Sequence, residues 1–274
     1  MKKYLLLVMS LGLMGAAPPA EMKLWRLDCG TISVSDFGVF SDTGAYNGQK
    51  RDMIDSCYLI KHDNDYMLWD TGLPAELKGQ KVIDEPFTLG VDKTIVEQLA
   101  EIGVTSDMVK IVGISHYHDD HTGQARHFPK AKLLLGKTDL DAFKAASVSG
   151  GRLDRARLKP WLDDGALSEG IGGDKDVFGD GSVMMLNMTG HTPGHHALLV
   201  NLPRTGPVLL SGDQFHAQSS FDANEVPIFN TDRADTLASH DRFKRIAKNM
   251  KATVIIQHES ADVKKLPRFP NAAE

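Results

Sequence analysis

The sequence predicts a layered α/β fold, in which short buried strands alternate with amphipathic helices. Apolar runs rich in β-branched residues, at 110–114, 208–210 and 253–256, have the length and composition of core strands. Each run is followed within three residues by a residue that could bind a metal ion. Because sites in layered α/β folds lie at the carboxyl ends of strands, we expect these residues to meet at one edge.

The composition is that of a single globular domain. The chain has 274 residues, of which 42% are apolar, enough for a sizeable core. Its formal net charge is −5. Phosphate binding needs a basic face, so we expect no nucleic-acid partner. The sequence does not fix an oligomeric state.

The first twenty residues are predicted to be a secretory signal peptide. Lys2 and Lys3 precede an apolar run, Tyr4 to Met14, which is too short to span a membrane, and small residues follow as far as Ala20. The prediction is a mature domain of residues 21–274, periplasmic or secreted, with no stable membrane insertion after cleavage. The alternative is a retained membrane anchor.

The two cysteines, Cys29 and Cys57, leave two alternatives open. An oxidising compartment would permit a disulfide between them. Both lie in apolar, strand-like stretches, and buried free cysteine is common, so the sequence favours two free thiols.

The first half of the chain begins with predicted strands at residues 23–35 and 54–70, the second of which contains a hairpin around the polar turn at residues 62–65. Phe37 to Asp52 is long and rich in glycine, as lids and binding loops are. Asp70, at the end of the hairpin, is expected to accept a hydrogen bond from a ligand histidine or from the loop that carries it.

Further elements follow in order. Ile95, Leu99 and Ile102 are spaced for one helix face, with Gly103 as terminator. A strand at 132–135 and a helix at about 138–146 come after the strand at 110–114. Residues 147–173 are predicted to be an insertion or cap, and a helix is expected to begin near Asp232.

The pattern H-x-H-x-D-H follows the strand at 110–114 and supplies His116, His118, Asp120 and His121. Imidazole is a common ligand for zinc, and carboxylates join it at catalytic sites. An extended segment would point His116 and His118 one way, while a helix that opens near His121 would carry the later pair. We therefore expect one metal ion at the first pair and a second at the later pair.

The second half repeats the order of strand and then ligand. Residues 182–186 lead to His191 in Gly-His-Thr-Pro-Gly-His, 208–210 lead to Asp213, and 253–256 lead to His258. With these blocks the chain resembles the metallo-β-lactamase superfamily. The resemblance covers nearly the whole mature chain and implies an αββα sandwich, two face-to-face sheets with helices outside.

The resemblance also implies a dinuclear centre that holds two divalent ions, with zinc expected. In such a centre His116, His118 and His191 would bind one ion, and Asp120, His121 and His258 the other, while Asp213 bridges the two. Two ions can share a hydroxide and aim it at an ester carbonyl, and Asp120 could pass a proton to the leaving alkoxide. No nucleophilic serine appears in a G-x-S-x-G context.

Within the superfamily, Asp213 in place of a cysteine argues against the true zinc β-lactamases. Residues 70–74 and the Glu225-Val226-Pro227 loop look most like the N-acyl homoserine lactone lactonases. That likeness implies a small-molecule lactone substrate, an exported subgroup and a quorum-quenching reaction. Alternatives are another hydrolase of the superfamily (a broad lactonase, a glyoxalase II-like thioesterase or a β-lactamase-like enzyme) and a non-catalytic metal-binding protein.

One position departs from that family. Its typical members carry a tyrosine three residues after the bridging aspartate, and this chain has His216 there. An imidazole can donate to an oxyanion, so His216 is a predicted catalytic donor. The alternative is a surface histidine.

The remaining expectations concern side chains around the centre. His195 is expected to support the ligands. His62, His127 and His240 are predicted to be surface residues. The walls of the acyl pocket are predicted to come from four aromatic residues: Phe40, Tyr46, Phe215 and Phe221.

Overall fold

A computed structural model describes residues 20–145 and 153–274. The predicted signal peptide therefore lies outside the described residues, except for Ala20. The strands are β1 (Met22–Val34), β2 (Arg51–His62), β3 (Asp65–Trp69), β4 (Lys81–Asp84), β5 (Phe87–Gly90), β6 (Val109–Ile114), β7 (Lys132–Gly136), β8 (Ser168–Ile171), β9 (Lys175–Asp176), β10 (Val183–Asn187), β11 (His196–Leu202), β12 (Gly206–Leu210) and β13 (Thr253–Ile255). The α-helices are α1 (Ile95–Glu101), α2 (Asp119–Thr122), α3 (Lys137–Ala145), α4 (Lys159–Leu162), α5 (Gln218–Ala223), α6 (Arg233–Met250) and α7 (Ser260–Val263).

The strands form two sheets. The first has eight strands in the order β4-β5-β1-β2-β3-β6-β7-β8, and the second has five in the order β13-β12-β11-β10-β9. One buried cluster holds side chains of both sheets, among them Tyr58 and Trp69 of the first and Val200 and Leu210 of the second. The sheets therefore face each other across a shared core.

The first sheet is buried on both faces because successive side chains of a strand point to opposite sides. In β2, Cys57 and Leu59 pack beneath the outer helices, whereas Tyr58 and Ile60 face the second sheet. Strands buried on both sides read as continuous apolar runs, and that is how β2 and β7 appear in the sequence.

Helices cover the two outer faces. Side chains of α1 and α3 pack on the first sheet, and Phe243 of α6 packs on the second. Thr94 and Glu97 form a capping box at the start of α1, and Asp232 caps α6 where the sequence predicted the helix to begin. The predicted αββα sandwich is confirmed.

The predicted hairpin is confirmed as β2–β3, which pairs His62 with Asp65. Two other expectations differ from the structure, and two features were not predicted. Residues 168–171, predicted within a cap, form the edge strand β8 beside β7. The helix expected to open near His121 is the single turn α2. The β4–β5 hairpin and β11 were not predicted.

The preference for free thiols was wrong, because Cys29 and Cys57 form a disulfide with an S–S distance of 2.12 Å. Gly72 lies against it: a Cβ on Gly72 would stand 2.4 Å from the Cβ of Cys29, and its φ is +62°. A glycine lets the turn after β3 approach the disulfide this closely. Among the described helices, none has the length and apolar character needed to cross a membrane.

Candidate metal centre

The H-x-H-x-D-H segment begins directly after β6, an interior strand of the first sheet that pairs in parallel with β3 and β7. His118 is extended (φ −65°, ψ 160°) and precedes α2, which carries Asp120 and His121. The change from extended chain to helical turn separates the first two histidines from the later pair, as the spacing predicted.

The structure brings the first predicted ligand set together. The ligand atoms of His116, His118, His191 and Asp213 all lie within 4.8 Å of one another, and all four residues are buried. Nδ1 of His118 is 2.8 Å from Nε2 of His116 and 3.1 Å from Nε2 of His191. Oδ2 of Asp213 is 3.4 Å from His191 Nε2. We call these four residues group one.

The second predicted set also converges. Asp120, His121, Asp213 and His258 have ligand atoms within the same 4.8 Å limit. Oδ1 of Asp213 is 2.9 Å from His258 Nε2 and 3.2 Å from His121 Nε2. We call this set group two. Asp213 turns one oxygen to each group, which is the arrangement a bridging carboxylate needs.

The charges of group two are mutually compensated. Burial alone would lower the pKa of His258, but the Asp213 carboxylate outweighs burial and raises the pKa to about 9. Burial also opposes charge on His121, yet Asp213 and Asp120 hold its pKa well above the usual value. Burial would raise the pKa of Asp213, and the surrounding histidines, led by His121, hold it well below its usual value instead.

In group one, the pKa of one imidazole is shifted in the opposite direction. Burial, reinforced by the positive potential of His121, holds the pKa of His116 well below its usual value. A buried neutral imidazole presents a lone pair, the form in which histidine binds a metal. In group two, Nε2 of His121 is buried and has no hydrogen-bond partner of suitable geometry among the described residues. Converging nitrogens and an orphaned buried nitrogen fit two divalent ions.

Asp70 supports group two from behind, as expected. It lies at the end of β3 with φ +56°. Its Oδ2 accepts hydrogen bonds from His121 Nδ1 and Gln257 Nε2, both at 3.0 Å, and its Oδ1 accepts one from Ser115 N at 2.7 Å. A donor on Nδ1 leaves the Nε2 of His121 directed at the centre.

The turn that carries Asp213 is held by two further histidines. Asp213 N donates to His195 Nε2 at 2.9 Å, so His195 supports Asp213. His240 Nε2 donates to the carbonyl oxygen of Gln214 at 2.6 Å. The prediction of a surface His240 was wrong: the residue is 1% exposed, because α6 packs its ring against Phe215.

His216 is buried too, which excludes the alternative of a surface histidine. Its Nε2 lies 3.0 Å from Oδ2 of Asp213, and its ring packs against Phe40 at a centroid distance of 4.6 Å. Burial lowers its pKa to about 4, so the imidazole is neutral at pH 7. His216 therefore stands beside both ligand groups and also faces the adjoining cavity.

A cavity of about 160 Å³ opens onto both groups. Its apolar wall is formed by seven side chains: Ile32, Phe40, Met53, Leu73, Phe87, Leu89 and Phe229. Its polar lining is made of aspartates and histidines: Asp84, His118, Asp119, Asp120, Asp213, His216 and His258. Among the residues described, no lysine or arginine lines it.

Of the predicted walls, only Phe40 lines the cavity. Tyr46 packs behind Phe40 in the same apolar cluster. Phe215 and Phe221 belong to the packing under α6, so their prediction as walls was wrong. The helix that places Phe243 on the second sheet also covers these two rings, and the β4–β5 hairpin supplies Phe87 and Leu89 in their place.

Two buried aspartates near the centre were missed. Asp55 is 1% exposed and accepts from Leu73 N. Asp139 is fully buried in the first turn of α3 and contacts both loops that carry group-one histidines. A signal existed for Asp139, because it lies four residues before the buried Phe143 and so shares its helix face.

Comparisons with known proteins agree with this geometry. The family model described as the metallo-beta-lactamase superfamily matches residues 52–258. The chain is 29% identical over 261 residues to the N-acyl homoserine lactonase AttM of Rhizobium radiobacter, covering 91% of this chain and 98% of the relative. It is 26% identical over 222 residues to the N-acyl homoserine lactonase AiiA of Bacillus thuringiensis subsp. kurstaki, covering 78% and 84%.

Solved structures have the same fold. An N-acyl homoserine lactone hydrolase with N-hexanoyl-L-homoserine at its catalytic metal centre superposes with a TM-score of 0.77 at 23% identity, covering 93% of this chain and all of that one. AidC, a dizinc quorum-quenching lactonase with the same product, gives 0.66 at 19% identity, covering 93% and 91%. The family match, the two-sheet sandwich and the two ligand groups lead to one conclusion: the chain belongs to the metallo-β-lactamase superfamily.

Proposed function

We propose that this protein is a metal-dependent hydrolase that opens the lactone ring of N-acyl homoserine lactones and so quenches quorum-sensing signals. The observation that carries the proposal is the joint opening of both ligand groups into a cavity that has an apolar wall beside its polar lining. An acylated lactone has a small polar head for the centre and an apolar tail for such walls. The relatives named as N-acyl homoserine lactonases support the same substrate class.

We propose zinc as the metal of both groups. Their donors are imidazole nitrogens and carboxylate oxygens, a set that zinc accepts at catalytic sites. Two bound divalent ions supply a water of lowered pKa as nucleophile and polarise the lactone carbonyl. The ion at group one would be held by His116, His118 and His191. The ion at group two would be held by Asp120, His121 and His258, and Asp213 would hold both.

Two side chains are proposed to act on the substrate. The Asp120 side chain is 20% exposed and lines the cavity, so one of its oxygens can reach bound substrate. Its role is to carry a proton towards the ring oxygen, which leaves as an alkoxide. His216 is neutral at pH 7, and its one N–H, which faces Asp213 Oδ2 in this structure, would turn to the oxygen that gains charge as the ring carbonyl is attacked.

The charge of the cavity separates the proposed substrate from its rivals. Asp84 and Asp119 line the cavity, which has no lysine or arginine among the residues described. β-Lactams and glutathione thioesters carry carboxylates for which the described lining offers no cationic side chain, whereas an N-acyl homoserine lactone is neutral. This favours a lactonase over a thioesterase or a β-lactamase-like enzyme.

A panel of substrates tests the proposal. We expect purified, zinc-loaded protein to hydrolyse N-hexanoyl and N-decanoyl homoserine lactone faster than a simple lactone, a glutathione thioester or a β-lactam, with mass spectrometry detecting the added water. The His118→Ala variant is the control for contaminating activity. Turnover of the thioester or the β-lactam without turnover of either homoserine lactone would overturn the proposal.

The acyl wall has its own matched pair of variants. Phe40 lines the cavity, whereas Phe221 packs under α6. Phe40→Ala should therefore change the ratio of decanoyl to hexanoyl turnover several-fold, and Phe221→Ala should leave that ratio unchanged. An equal ratio in wild type and Phe40→Ala would exclude Phe40 from the acyl site.

We further propose that the protein is exported to the periplasm or medium. The basic and then apolar start supports this, and so does the Cys29–Cys57 disulfide, a bond typical of oxidising compartments. Mass spectrometry of the native protein should find a chain lacking about its first twenty residues. Recovery of an intact Met1 from the cytoplasm would contradict export.

A further inference from the structure

Asp139 is a buried carboxylate that bonds to the chain around group one rather than to its ligands. Its Oδ2 accepts from Tyr117 N at 3.1 Å and from Thr192 Oγ1 at 2.7 Å, and its Oδ1 accepts from Gly194 N at 2.7 Å. All three donors are neutral. A buried acid is costly unless donors satisfy its oxygens, so these bonds fix Asp139 in one place.

The three donors bracket the histidines of group one. Tyr117 lies between His116 and His118, whereas Thr192 and Gly194 follow His191. The two loops lie far apart in the sequence and follow strands of different sheets, β6 and β10. One carboxylate therefore joins the two segments that supply every imidazole of group one.

The loop that holds Thr192 and Gly194 packs so closely on the start of α3 that no added side chain would fit between them. A Cβ on Gly194 would lie 2.7 Å from Oδ1 of Asp139. A Cβ on Gly136, the last residue of β7, would lie 1.8 Å from the carbonyl oxygen of Gly194. The loop position is therefore set by the start of α3, and Asp139 is the polar contact made there.

We propose that Asp139 is a positioning residue that sets the distance between the two loops and thereby the affinity of group one for its metal ion. The inference rests on the proposed metal centre. Because Asp139 bonds to backbone and hydroxyl groups, it acts on where His118 and His191 lie, and not on the proton of an imidazole. Partners that orient metal ligands typically contribute 10–100-fold to metal affinity.

Asp139→Asn tests this with little change in shape. An amide has one acceptor oxygen, so its NH₂ must face either Gly194 N or the Tyr117 and Thr192 donors, and at least one backbone bond is lost. Asp141→Asn on the same helix is the matched control, because Asp141 is exposed and pairs with Lys137. Thr192→Val removes one donor and keeps the carboxylate, so it serves as a milder second variant.

The readout is Co²⁺ binding to metal-free protein, followed by calorimetry and visible absorption. In a His258→Ala background, which weakens group two, Asp139→Asn should lower the affinity of the remaining ion about 10–100-fold, with Thr192→Val in the same direction and Asp141→Asn unchanged. In a His118→Ala background, which weakens group one, Asp139→Asn should have no effect on the remaining ion.

The outcomes separate this inference from the proposed function. Equal affinities in Asp139→Asn and its parent, or an equal loss in both backgrounds, would overturn the positioning role while leaving the lactonase proposal intact. If Asp139→Asn does not fold, Thr192→Val decides in the same way. Failure of the wild type to bind Co²⁺ would instead refute the metal centre itself, and this inference with it.

Discussion

Groups one and two share Asp213 and a cavity, yet they are assembled in different ways. Group one is rich in imidazole and includes His116, a histidine with a lowered pKa. Group two has two carboxylates and two histidines, His121 and His258, both with raised pKa values. Without metal, group two is held by its own ion pairs, whereas group one depends on the segments that carry its ligands.

Each group is supported by a buried aspartate outside the ligand set, Asp70 for group two and Asp139 for group one. Asp70 accepts a hydrogen bond from the ring of His121 itself, so it controls the orientation and basicity of that imidazole. Asp139 touches the backbone beside the ligands and so controls loop spacing. A metal site can therefore be supported in two ways, through the ring of a ligand or through the backbone that carries the ligand.

The largest expected effect comes from removing one ligand from each group. His118→Ala and His258→Ala should each lower zinc content from about two ions to about one, because each removes an imidazole from one group only. Lactone turnover should fall by more than about 10²-fold in both, beyond the range typical for a partner of a ligand. Elemental analysis and turnover of the same samples provide the check. Loss of both ions from either variant would show that the two groups do not bind independently.

The next effect concerns Asp70. Asp70→Asn keeps the shape of the side chain but replaces one acceptor oxygen with an NH₂ group. At least one of the bonds from His121 Nδ1, Gln257 Nε2 and Ser115 N is therefore lost. We expect the ion of group two to bind about 10–100-fold more weakly while the ion of group one is unaffected. Co²⁺ titration of the metal-free variant measures both affinities. A selective loss at group one would reverse the assignment of Asp70.

The sequence predicted which residues converge on the two groups because the patterns that name these residues are local. H-x-H-x-D-H is contiguous, and His191, Asp213 and His258 each follow a recognisable strand. The structure brings together every residue named for the two groups. The sandwich was predictable for a similar reason, because strands buried on both faces read as continuous apolar runs.

The wrong and the missing predictions share a cause: each depends on contact between segments that are distant in the sequence. Cys29 lies at a bulge between β1 and β2, where the register shifts between Asp28 and Gly30, so ideal strand pairing does not identify its neighbour. Phe221 looked available as a pocket wall and His240 as a surface residue. His240 is instead part of α6 and packs on Phe215, and the same helix covers Phe221. Asp139 has no motif, and its role is visible only when two loops meet.

A third prediction concerns the protons that group two releases when metal ions bind. In metal-free protein at pH 7, His258, with a pKa of about 9, carries protons on both ring nitrogens, and Asp213 and Asp120 favour the same form of His121. Ligand histidines bind as neutral imidazoles, so loading both ions should release on the order of one to two protons. Calorimetry in buffers of different ionisation enthalpy measures this number. Loading without proton release would contradict the charged state of group two.

The same ion pairs predict how the metal-free protein responds to pH. The pKa of His258 is about 9 in the folded chain against an ordinary value of 6.5. A raised histidine pKa stabilises the fold fully below the ordinary value, and the contribution is lost as pH rises through about 9. The free energy of unfolding should therefore fall by at most about 3 kcal/mol across this window. Denaturant unfolding of chelated wild type and His258→Gln checks this, because the variant should show a smaller fall.

The smallest expected effect belongs to His216, which stands between the groups and belongs to neither. It lies 3.0 Å from the Asp213 oxygen that faces group one, and its ring stacks parallel to His258 of group two at 5.8 Å. Loss of a single oxyanion donor costs roughly 10²–10³ in turnover, and two bound ions would share that charge, so we expect about a tenfold loss. His216→Phe is the sharper variant, because it keeps the ring against Phe40 and removes the donor, while His216→Tyr should recover part of the rate with its hydroxyl. Both variants should retain two ions, with KM for N-hexanoyl homoserine lactone nearly unchanged, since the donor serves the transition state more than the bound substrate. Full turnover in His216→Phe with two ions bound would falsify the donor role. Loss of an ion would show that the contact with Asp213 makes His216 a fifth member of group one.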